Sequence, residues 1–529
     1  MNQNYFKTPK YNLVNFFSKS WTLLCIICTI GFILRIIWIS HEAPLILDST
    51  GYFWYAIDTS ILGSFPTTEC GWRCTFPNTG WASFLSVFFT IFPSENYLDY
   101  MNLQRYISVI ISVITTIPMY YFGKIFFEKK YAVIGSILFV FNPRIIENSI
   151  FGITEPVYIL TITLMLYTFF QYGKKYPFIV FGTIGIISII RYEGLLLFVP
   201  ISLLYFYKFK FSKNTLLKYG IAVTIFLLII TPWIMIKIDS TGEDGMISHI
   251  AAGPTYYNNV AKESQDPNEA ISSFVRTGFN TMLRFLVLST LPLLTFFIPI
   301  GIYTMISKRE YSNFLILFCI TLTLLIPAFY AYSRSFQEVR YLLPIFPIFC
   351  LFSVYFIKSF TERIKFKKSV LVSIPIVIIL STIGFIEYKN NDDVDQIEAY
   401  KITQEITKLT NVVSYYSQAG YLDHTRILKA DEFPILRKNL PPPVVFIYPD
   451  NYDTFEEYIS DNKEKGLEYV IVDKGDWRTR FLDDVFQNEK NYPYLEKIFD
   501  SKDNGYKNYH AKIFKINFDD FETSRTIAP

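Results

Sequence analysis

Long apolar runs alternate with short polar stretches along the chain as far as about residue 388. Most runs approach the roughly 20 residues that an α-helix needs to cross a bilayer, and the shorter ones can be tilted or extended by polar turns. We therefore predict about eleven membrane-spanning helices. The runs cover residues 21–40, 103–122, 131–142, 156–171, 177–190, 194–207, 219–236, 284–306, 312–332, 342–358 and 369–386.

The composition supports a polytopic α-helical membrane protein. Hydrophobic residues make up 51% of the 529 residues and aromatic residues 18%, which is rare in a soluble chain of this length. The formal net charge of +3 gives no indication of a nucleic-acid partner, and we expect none. The partners that this composition predicts are membrane lipids.

Lysine and arginine are concentrated in alternate loops. If the N-terminus is cytoplasmic, every short loop assigned to the inner side is basic, as the positive-inside rule requires. We expect a multi-pass protein of the cell membrane with its C-terminus outside, and a first run retained as a signal anchor. The inner loops hold Lys124, Lys129, Lys130, Lys174, Lys175, Lys208, Lys210, Lys213, Lys218, Lys308, Arg309, Arg363, Lys365, Lys367 and Lys368.

The last part of the chain is polar and has the pattern of a small soluble domain. Residues 398–409 and 454–465 have helical spacing, and three short apolar segments are typical of buried strands. We predict a transmembrane domain over residues 1–388 and an extracytoplasmic α/β domain over residues 389–529. The strand segments are PVVFIYP, EYVIVDK and KIFKINF.

The first external loop is long for a connector, and it places an acid beside an aromatic cluster. Asp48 comes shortly after the first apolar run and is followed by Tyr52 and Tyr55. Asp48 either caps a helix that starts after it or acts as a catalytic carboxylate. Further along, residues 81–92 have the spacing of a helix that lies in the membrane interface, with Trp81 as its anchor.

Other ionisable residues fall at the outer ends of predicted spans. Arg144, Glu147 and Glu155 lie in the second external loop, where Glu155 can simply favour the dipole of the helix that it starts. Arg191 and Glu193, in the segment RYEG, are charges at membrane depth, where each costs about 2.5–3.5 kcal/mol. They either pair with each other or line a polar cavity.

A later external segment ends with Arg340 and Tyr341, directly before an apolar run. The guanidinium of Arg340 either reaches up to the interface or binds phosphate through two hydrogen bonds. A carboxylate, aromatic rings that suit sugars and an arginine that suits phosphate favour glycosyl transfer from a lipid phosphate. Simple glycoside hydrolysis would need a second carboxyl group at the bond that breaks.

In their order and topology, these motifs resemble those of the GT-C glycosyltransferases. That group includes protein O-mannosyltransferases, the lipid A aminoarabinose transferase and their archaeal and bacterial relatives. The resemblance covers roughly residues 15–390, and an external C-terminal domain also fits it. It rests on Asp48 with GYFWYA, PNTGW, the NP…TEP segment at residues 142–156, RYEG, and EVRYLLPIFP.

The resemblance implies a transferase that takes a sugar from a polyprenyl-phosphate donor and passes it to a protein, lipid or glycan acceptor. It implies that Asp48 is the base that activates the acceptor hydroxyl. The acid of the second external loop would be Glu147 or, by the TEP pattern, Glu155. Arg340 would contact the donor phosphate, with help from Arg191.

The same resemblance extends the expected substrate-binding surface and allows a metal. Some relatives use a divalent cation, which the number of acids here allows without requiring. The chain departs from the O-mannosyltransferase pattern, because Ser49 follows Asp48 where those enzymes have a second acid. It also lacks the WWDYG-type signature of oligosaccharyltransferases. The residues expected to complete the donor and substrate site are Tyr52, Tyr55, Arg144, Glu193 and Tyr341.

The alternative function is that of a transporter or lipid flippase with an external binding domain. Such a protein would place polar residues along the interior of its spans and show internal symmetry. The polar residues instead concentrate at the outer ends of the spans, and no convincing repeat occurs. Cys70 and Cys74 can form a local disulfide only at a tight spacing, and the scarcity of histidine argues against a zinc site.

Overall fold

The computed structural model divides the chain into two compact units, which we describe separately. The first unit comprises Met1–Ile39, Gly51–Ile91 and Gln104–Glu387, and the second comprises Ser40–Thr50, Phe92–Leu103 and Tyr388–Pro529. The structure describes residues 20–45, 48–65, 78–94, 97–253, 267–291, 294–364, 367–389, 394–410, 412–416, 422–429, 452–464, 467–473 and 480–527. Cys70 and Cys74, whose pairing the sequence leaves open, and the predicted strand PVVFIYP lie outside these residues.

Helices dominate the chain up to residue 389. They are α1 (Ser20–Ile37), α2 (Asp48–Leu62), α3 (Thr79–Ile91), α4 (Tyr97–Ile114), α5 (Thr116–Phe126), α6 (Lys129–Val140), α7 (Pro143–Ile150), α8 (Glu155–Tyr172), α9 (Pro177–Ile190), α10 (Phe198–Phe209), α11 (Lys213–Thr241), α12 (Pro267–Thr290), α13 (Leu294–Ser307), α14 (Tyr311–Ser333), α15 (Phe346–Arg363) and α16 (Lys367–Lys389). Short 3₁₀ helices at Tyr192–Leu197 and Val339–Ile345 lead into α10 and α15.

The helices confirm a membrane protein with several candidate spans. In the described part of the chain, six helices are long and apolar enough to cross a membrane, or up to eight if each of two bent pairs forms one span. This finding rests on length and composition and does not confirm the predicted count of eleven. The predicted helix in the first external loop corresponds to α3, which the structure begins at Thr79.

Two pairs of consecutive helices are sharply bent. Helices α6 and α7 meet at 49°, because the Asn142 side chain caps α7 by accepting the N–H groups of Arg144 and Ile145, and Pro143 cannot continue α6. The run predicted as one span over residues 284–306 is divided between α12 and α13, which are bent by 100°.

Two glycines allow helices to pack closely in the first unit. A Cβ atom on Gly80 of α3 would lie 2.4 Å from the carbonyl oxygen of Ile189, and one on Gly194 would lie 2.5 Å from Cγ2 of Ile187. Both contacts are far shorter than van der Waals distance. The two glycines therefore bring PNTGW and RYEG against the same end of α9.

We predict that Gly80→Ala lowers the stability of the first unit by about 1–3 kcal/mol, the usual cost of overpacking. Gly194→Ala should have an effect in the same direction. Thermal unfolding of the purified protein in detergent micelles measures both changes. The matched control is Gly220→Ala in α11, where nothing lies within 4 Å of an added Cβ. Because alanine favours a helix over glycine, the control should be neutral or stabilising, and equal losses at all three positions would contradict the packing argument.

The described part of the second unit contains two antiparallel sheets. Their strands are β1 (Val412–Tyr416), β2 (Leu422–Lys429), β3 (Tyr469–Asp473), β4 (Leu495–Asp500) and β5 (Ala511–Ile516). Strands β1 and β2 form a hairpin, and the other three have the order β3-β5-β4, with both pairings antiparallel. The predicted strands EYVIVDK and KIFKINF correspond to β3 and β5, which pair directly with each other. The predicted α/β alternation is therefore corrected to an α+β arrangement.

Apolar clusters cover both faces of the three-stranded sheet β3-β5-β4. Alternate residues of β3 point to opposite sides, with Val470 and Val472 in one apolar cluster and Ile471 in another. The first cluster also includes residues of α18 (Phe455–Lys463) and α19 (Arg480–Gln487), and the second includes residues of α17 (Val394–Thr410). Helix α20 (Phe518–Ile527) ends the described chain.

Glu398 of α17 fixes the loop that precedes β5. Its carboxylate accepts the backbone N–H groups of Asn508 at 2.6 Å, Tyr509 at 2.8 Å and Lys507 at 3.3 Å, and the amide of Asn508 at 2.8 Å. Burial alone would raise the pKa of Glu398, but the N–H groups of Tyr509 and Asn508 lower it below its usual value.

We predict that Glu398→Gln opens this loop in a manner that depends on pH. A lowered folded-state pKa means that the carboxylate stabilises the fold above the unfolded-state pKa of about 4.3, and that this contribution is lost as the pH falls through the folded-state pKa. Hydrogen exchange at the amides of Asn508 and Tyr509 should therefore be faster in the variant than in the unaltered protein at pH 7, with the ratio approaching one in acid. Glu496→Gln, an exposed acid on β4, is the control and should leave the ratio near one.

Candidate functional site

A buried charge cluster surrounds Arg191, between α9 and the 3₁₀ helix that follows it. The guanidinium donates from Nη1 to Glu155 Oε1 at 2.7 Å and from Nη2 to Glu193 Oε1 at 3.0 Å. The Arg191 and Glu193 side chains are each 13% exposed, and that of Glu155 is 2% exposed. Two carboxylates thus share one guanidinium away from bulk water.

The local chain conformation explains why these groups meet. Arg191 is extended, with φ −143°, and its N–H binds the Ile187 carbonyl as α9 ends. Glu155 begins α8, where the helix dipole favours an acid, and Pro156 suits the first turn of a helix. Both carboxylates therefore lie in the first turn of a helix rather than in the middle of one.

Aromatic rings complete the surroundings of Arg191. The Tyr158 ring lies 5.6 Å from its guanidinium carbon, and Tyr52 interacts with it electrostatically. Burial alone would lower the pKa of Arg191, but Glu193, Glu155 and Tyr52 raise it above its usual value. Arg191 therefore remains a cation whose charge is offset by its neighbours.

The PNTGW motif and Gln104 hold the chain around this cluster. Asn78 of PNTGW accepts the backbone N–H of Tyr192 at 3.3 Å. Trp81 Nε1 and Gln104 Nε2 both donate to the Gly152 carbonyl, at 3.0 and 2.8 Å, just before TEP. Trp81 is 1% exposed, so the expected role as an anchor at the membrane interface is wrong, and its indole instead supports the turn that carries Glu155.

The remaining charged residues expected in the site form separate pairs. Arg144 Nη1 donates to Glu147 Oε2 at 3.0 Å within α7. Arg340 forms an ion pair with Glu338, and its guanidinium carbon lies 5.5 Å from the Tyr341 ring centroid. The predicted phosphate ligand Arg340 thus already has an acidic neighbour.

Asp48 begins helix α2 and belongs to the second unit. Its place in the first turn suits the helix dipole, as the capping alternative requires. Tyr52 and Tyr55 follow on the same helix within the first unit, and both are buried. The catalytic role of Asp48 therefore remains a prediction.

The acids around Arg191 do not fit a divalent cation in this arrangement, because both are bound to the guanidinium. Among the residues with described positions, no three His, Cys, Asp or Glu side chains form a group that could hold a metal ion. A cation such as the one expected from the family resemblance would need donors other than Glu155 and Glu193.

Three buried cations of the described first unit, Arg35, Arg105 and Lys237, escaped the sequence analysis. Arg35 of α1 is fully buried and donates to the Gly31 carbonyl and to the hydroxyl groups of Ser112 and Ser149. Lys237 lies near the end of α11 and is 2% exposed. The available signal was a lone basic residue near the end of an apolar helix, which favours a functional or fixed position.

Comparisons with solved structures identify the fold. Over 85% of this chain and 68% of the other, the structure superposes on the Archaeoglobus fulgidus oligosaccharyltransferase in complex with zinc and sulfate, with a TM-score of 0.54 and 15% identity. A structure of the A. fulgidus enzyme AglB with an inhibitory peptide and a dolichol-phosphate matches with a TM-score of 0.51 and 14% identity, over 86% of this chain and 69% of that one.

A second kind of enzyme matches over almost its whole length. ArnT from Cupriavidus metallidurans, bound to undecaprenyl phosphate, aligns over 94% of this chain and 98% of that one, with a TM-score of 0.55 and 10% identity. No protein-family model and no curated protein matches the sequence. This chain therefore shares its fold with the A. fulgidus oligosaccharyltransferase and with ArnT from C. metallidurans.

We predict that Arg191→Met destabilises the first unit by about 3–5 kcal/mol, because it leaves buried carboxylates without their cation. Adding Glu155→Gln should recover part of that loss, since the most buried uncompensated charge is then removed. Thermal unfolding of the single and double variants gives the coupling energy of the pair.

The matched control for this cycle is Arg144→Met with Glu147→Gln. This pair has a similar contact distance, 3.0 Å, but its acid is 25% exposed, so its coupling should be smaller. Equal coupling energies in the two cycles would show that the burial of Glu155 has no special consequence.

Proposed function

We propose that this protein is a membrane glycosyltransferase that moves a sugar from a polyprenyl-phosphate donor to an acceptor hydroxyl on the extracytoplasmic side. The observation that supports this most directly is the Arg191 cluster, which the three motifs RYEG, TEP and PNTGW assemble within the GT-C fold. Enzymes with that fold have been captured with undecaprenyl phosphate and with a dolichol-phosphate. We extend this class of lipid carrier to the present chain.

The proposed reaction is a single displacement at the anomeric carbon of the sugar. Asp48 takes the proton of the acceptor hydroxyl, and the oxygen forms a bond to that carbon. The bond between the carbon and the phosphate oxygen breaks, and its electron pair leaves with the lipid phosphate. Because a phosphate is a stable anion, the leaving group needs a cation nearby and no proton from a second acid.

The two carboxylates around Arg191 have different proposed roles. Glu193 is more exposed than Glu155, so it is the better candidate to accept hydrogen bonds from sugar hydroxyl groups. Glu155 is almost fully buried and binds Arg191, so we assign it to the positioning of that guanidinium. Tyr52 and Tyr158 supply the aromatic walls that suit a sugar ring.

The other expected residues keep secondary roles in this proposal. Arg340 can contact the donor phosphate while it shares its charge with Glu338, and Tyr341 packs beside it. Arg144 and Glu147 offer a further polar pair to the substrate. The N-terminus would be cytoplasmic and the C-terminal domain extracytoplasmic, and the acceptor is a protein, a lipid or a glycan. A divalent cation can assist if other residues bind it.

We predict that Asp48→Asn lowers sugar transfer by about 10²–10⁴-fold, the usual contribution of a general base. Membranes that contain the protein are incubated with labelled polyprenyl-phosphate sugars, and the product that gains label is identified. The unfolding temperature should change little, because asparagine also begins helices well.

The matched control is Asp99→Asn, which removes another acid from the first turn of a helix. This variant should keep its transferase activity. If Asp48→Asn behaves like Asp99→Asn, Asp48 is a helix-capping residue and the proposed mechanism is wrong.

A further inference from the structure

Lys237 is a buried ammonium with no counter-charge in contact. It lies one turn before the end of α11 and is 2% exposed. Within the described part of the chain, its Nζ atom has no hydrogen-bond partner and forms no ion pair. An ammonium group offers three donors and is strongly hydrated in water, so burying it unpaired is unfavourable.

The surroundings of Lys237 are aromatic and polar. The Tyr55 ring centroid lies 5.7 Å from Nζ, and Gly245 packs against the aliphatic stem, where an added Cβ would lie 3.1 Å from Cε. The buried Tyr55 hydroxyl lies beside the Thr79 hydroxyl, and among the described residues neither group has a hydrogen-bond partner other than the other one. Polar groups from three different segments therefore meet here.

This polar region is next to the Arg191 cluster. Tyr55 follows Tyr52 by three residues on α2, so both lie on one side of the helix, and Tyr52 interacts with Arg191. The His249 ring lies 5.4 Å from the ring of Tyr192, the residue that follows Arg191 in the sequence.

The charge of Lys237 acts across this region. The charges of Lys237 and Glu243 both act on His249, and Glu243 also acts on Lys237 without forming an ion pair with it. Lys237 therefore faces the same part of the first unit as the proposed sugar site.

The cations of the first unit differ in how far the protein already compensates their charge. Arg191 is bound by two carboxylates, and Arg340 forms an ion pair with Glu338. Arg35 has three hydrogen bonds to neutral oxygens. Lys237 has none of these, so its ammonium can bind an incoming anion without first breaking a contact in the protein.

We propose that Lys237 binds the phosphate group of the lipid-linked donor, with the Tyr55 hydroxyl as a second donor. This inference rests on the proposed function and assigns its leaving-group site to Lys237 rather than to Arg340. The ammonium offsets the charge that grows on the phosphate oxygen as the bond to the sugar breaks. The proton stays on Lys237, and the electron pair leaves with the phosphate.

The test uses the full-length protein in detergent micelles with undecaprenyl phosphate, dolichyl phosphate and inorganic phosphate as separate probes. Lys237→Met removes the charge and keeps an unbranched side chain. It should weaken binding of a polyprenyl phosphate by at least about tenfold, as expected for the loss of one charged hydrogen bond. Lys237→Arg should recover part of the affinity, and Tyr55→Phe should weaken it by a smaller factor.

Thermal unfolding without ligand separates this role from a structural one. A lysine that holds the fold together lowers the unfolding temperature when it is replaced, whereas removal of an unsatisfied buried charge leaves that temperature unchanged or raises it. We expect the second result for Lys237→Met. The matched control is Lys213→Met, which removes an exposed ammonium from the start of the same helix and should change neither binding nor stability.

Each probe gives a decisive result. If inorganic phosphate raises the unfolding temperature of the unaltered protein but not that of Lys237→Met, the result supports a site for the phosphate group itself. If only the polyprenyl phosphates raise it, and this effect is also lost in Lys237→Met, the result supports the same site with a required lipid chain. Unchanged polyprenyl-phosphate affinity in Lys237→Met and Tyr55→Phe overturns the inference.

These results are distinguishable from failure of the proposed function. If a polyprenyl phosphate binds through Lys237 but no sugar is transferred, the site stands and the transferase does not. If sugar transfer depends on Asp48 while Lys237→Met binds the lipid normally, the transferase stands and this assignment fails.

Discussion

Arg191 can be buried only because two carboxylates meet it in a fixed geometry. The desolvation of three charged groups is unfavourable unless their hydrogen bonds are well aligned. The loss of one partner leaves a buried charge without compensation and destabilises the fold. Much of the neighbouring packing serves this alignment. Trp81 holds the turn before Glu155, and Asn78 holds the backbone beside Arg191. The absence of a side chain on Gly80 lets these segments approach α9 closely.

Lys237 presents the opposite electrostatic situation in the same unit. Arg191 is neutralised within the protein, whereas Lys237 has no such compensation among the described residues. A protein retains an unfavourable charge of this kind when a ligand, rather than the fold, completes its interactions. The contrast explains why the residue with the strongest internal pairing is better suited to hold a site together, and the one without pairing is better suited to bind an anion.

The sequence predicted local structure better than the contacts between segments that are distant along the chain. Helical spacing located α3, and the two charges of RYEG do pair, as the simpler alternative proposed. The part of Glu155 in that pair could not be predicted, because it lies 36 residues away along the chain. Strands β3 and β5 were recognised from their apolar residues, but their antiparallel pairing depends on contacts between distant segments, which a local pattern does not contain. Lys237 was missed because a single basic residue near a helix end is common and its surroundings come from other helices.

The three hydrogen bonds of Arg35 impose an order on how the first unit is assembled. One acceptor, Gly31, is on the same helix, but Ser112 and Ser149 follow Arg35 by 77 and 114 residues. While the chain is being synthesised, the first helix therefore enters its surroundings with a guanidinium that has no partner from those segments. Its two distant hydrogen-bond acceptors exist only after α4 and α7 have been synthesised. Helix α1 therefore reaches its native contacts only after these later helices are in place.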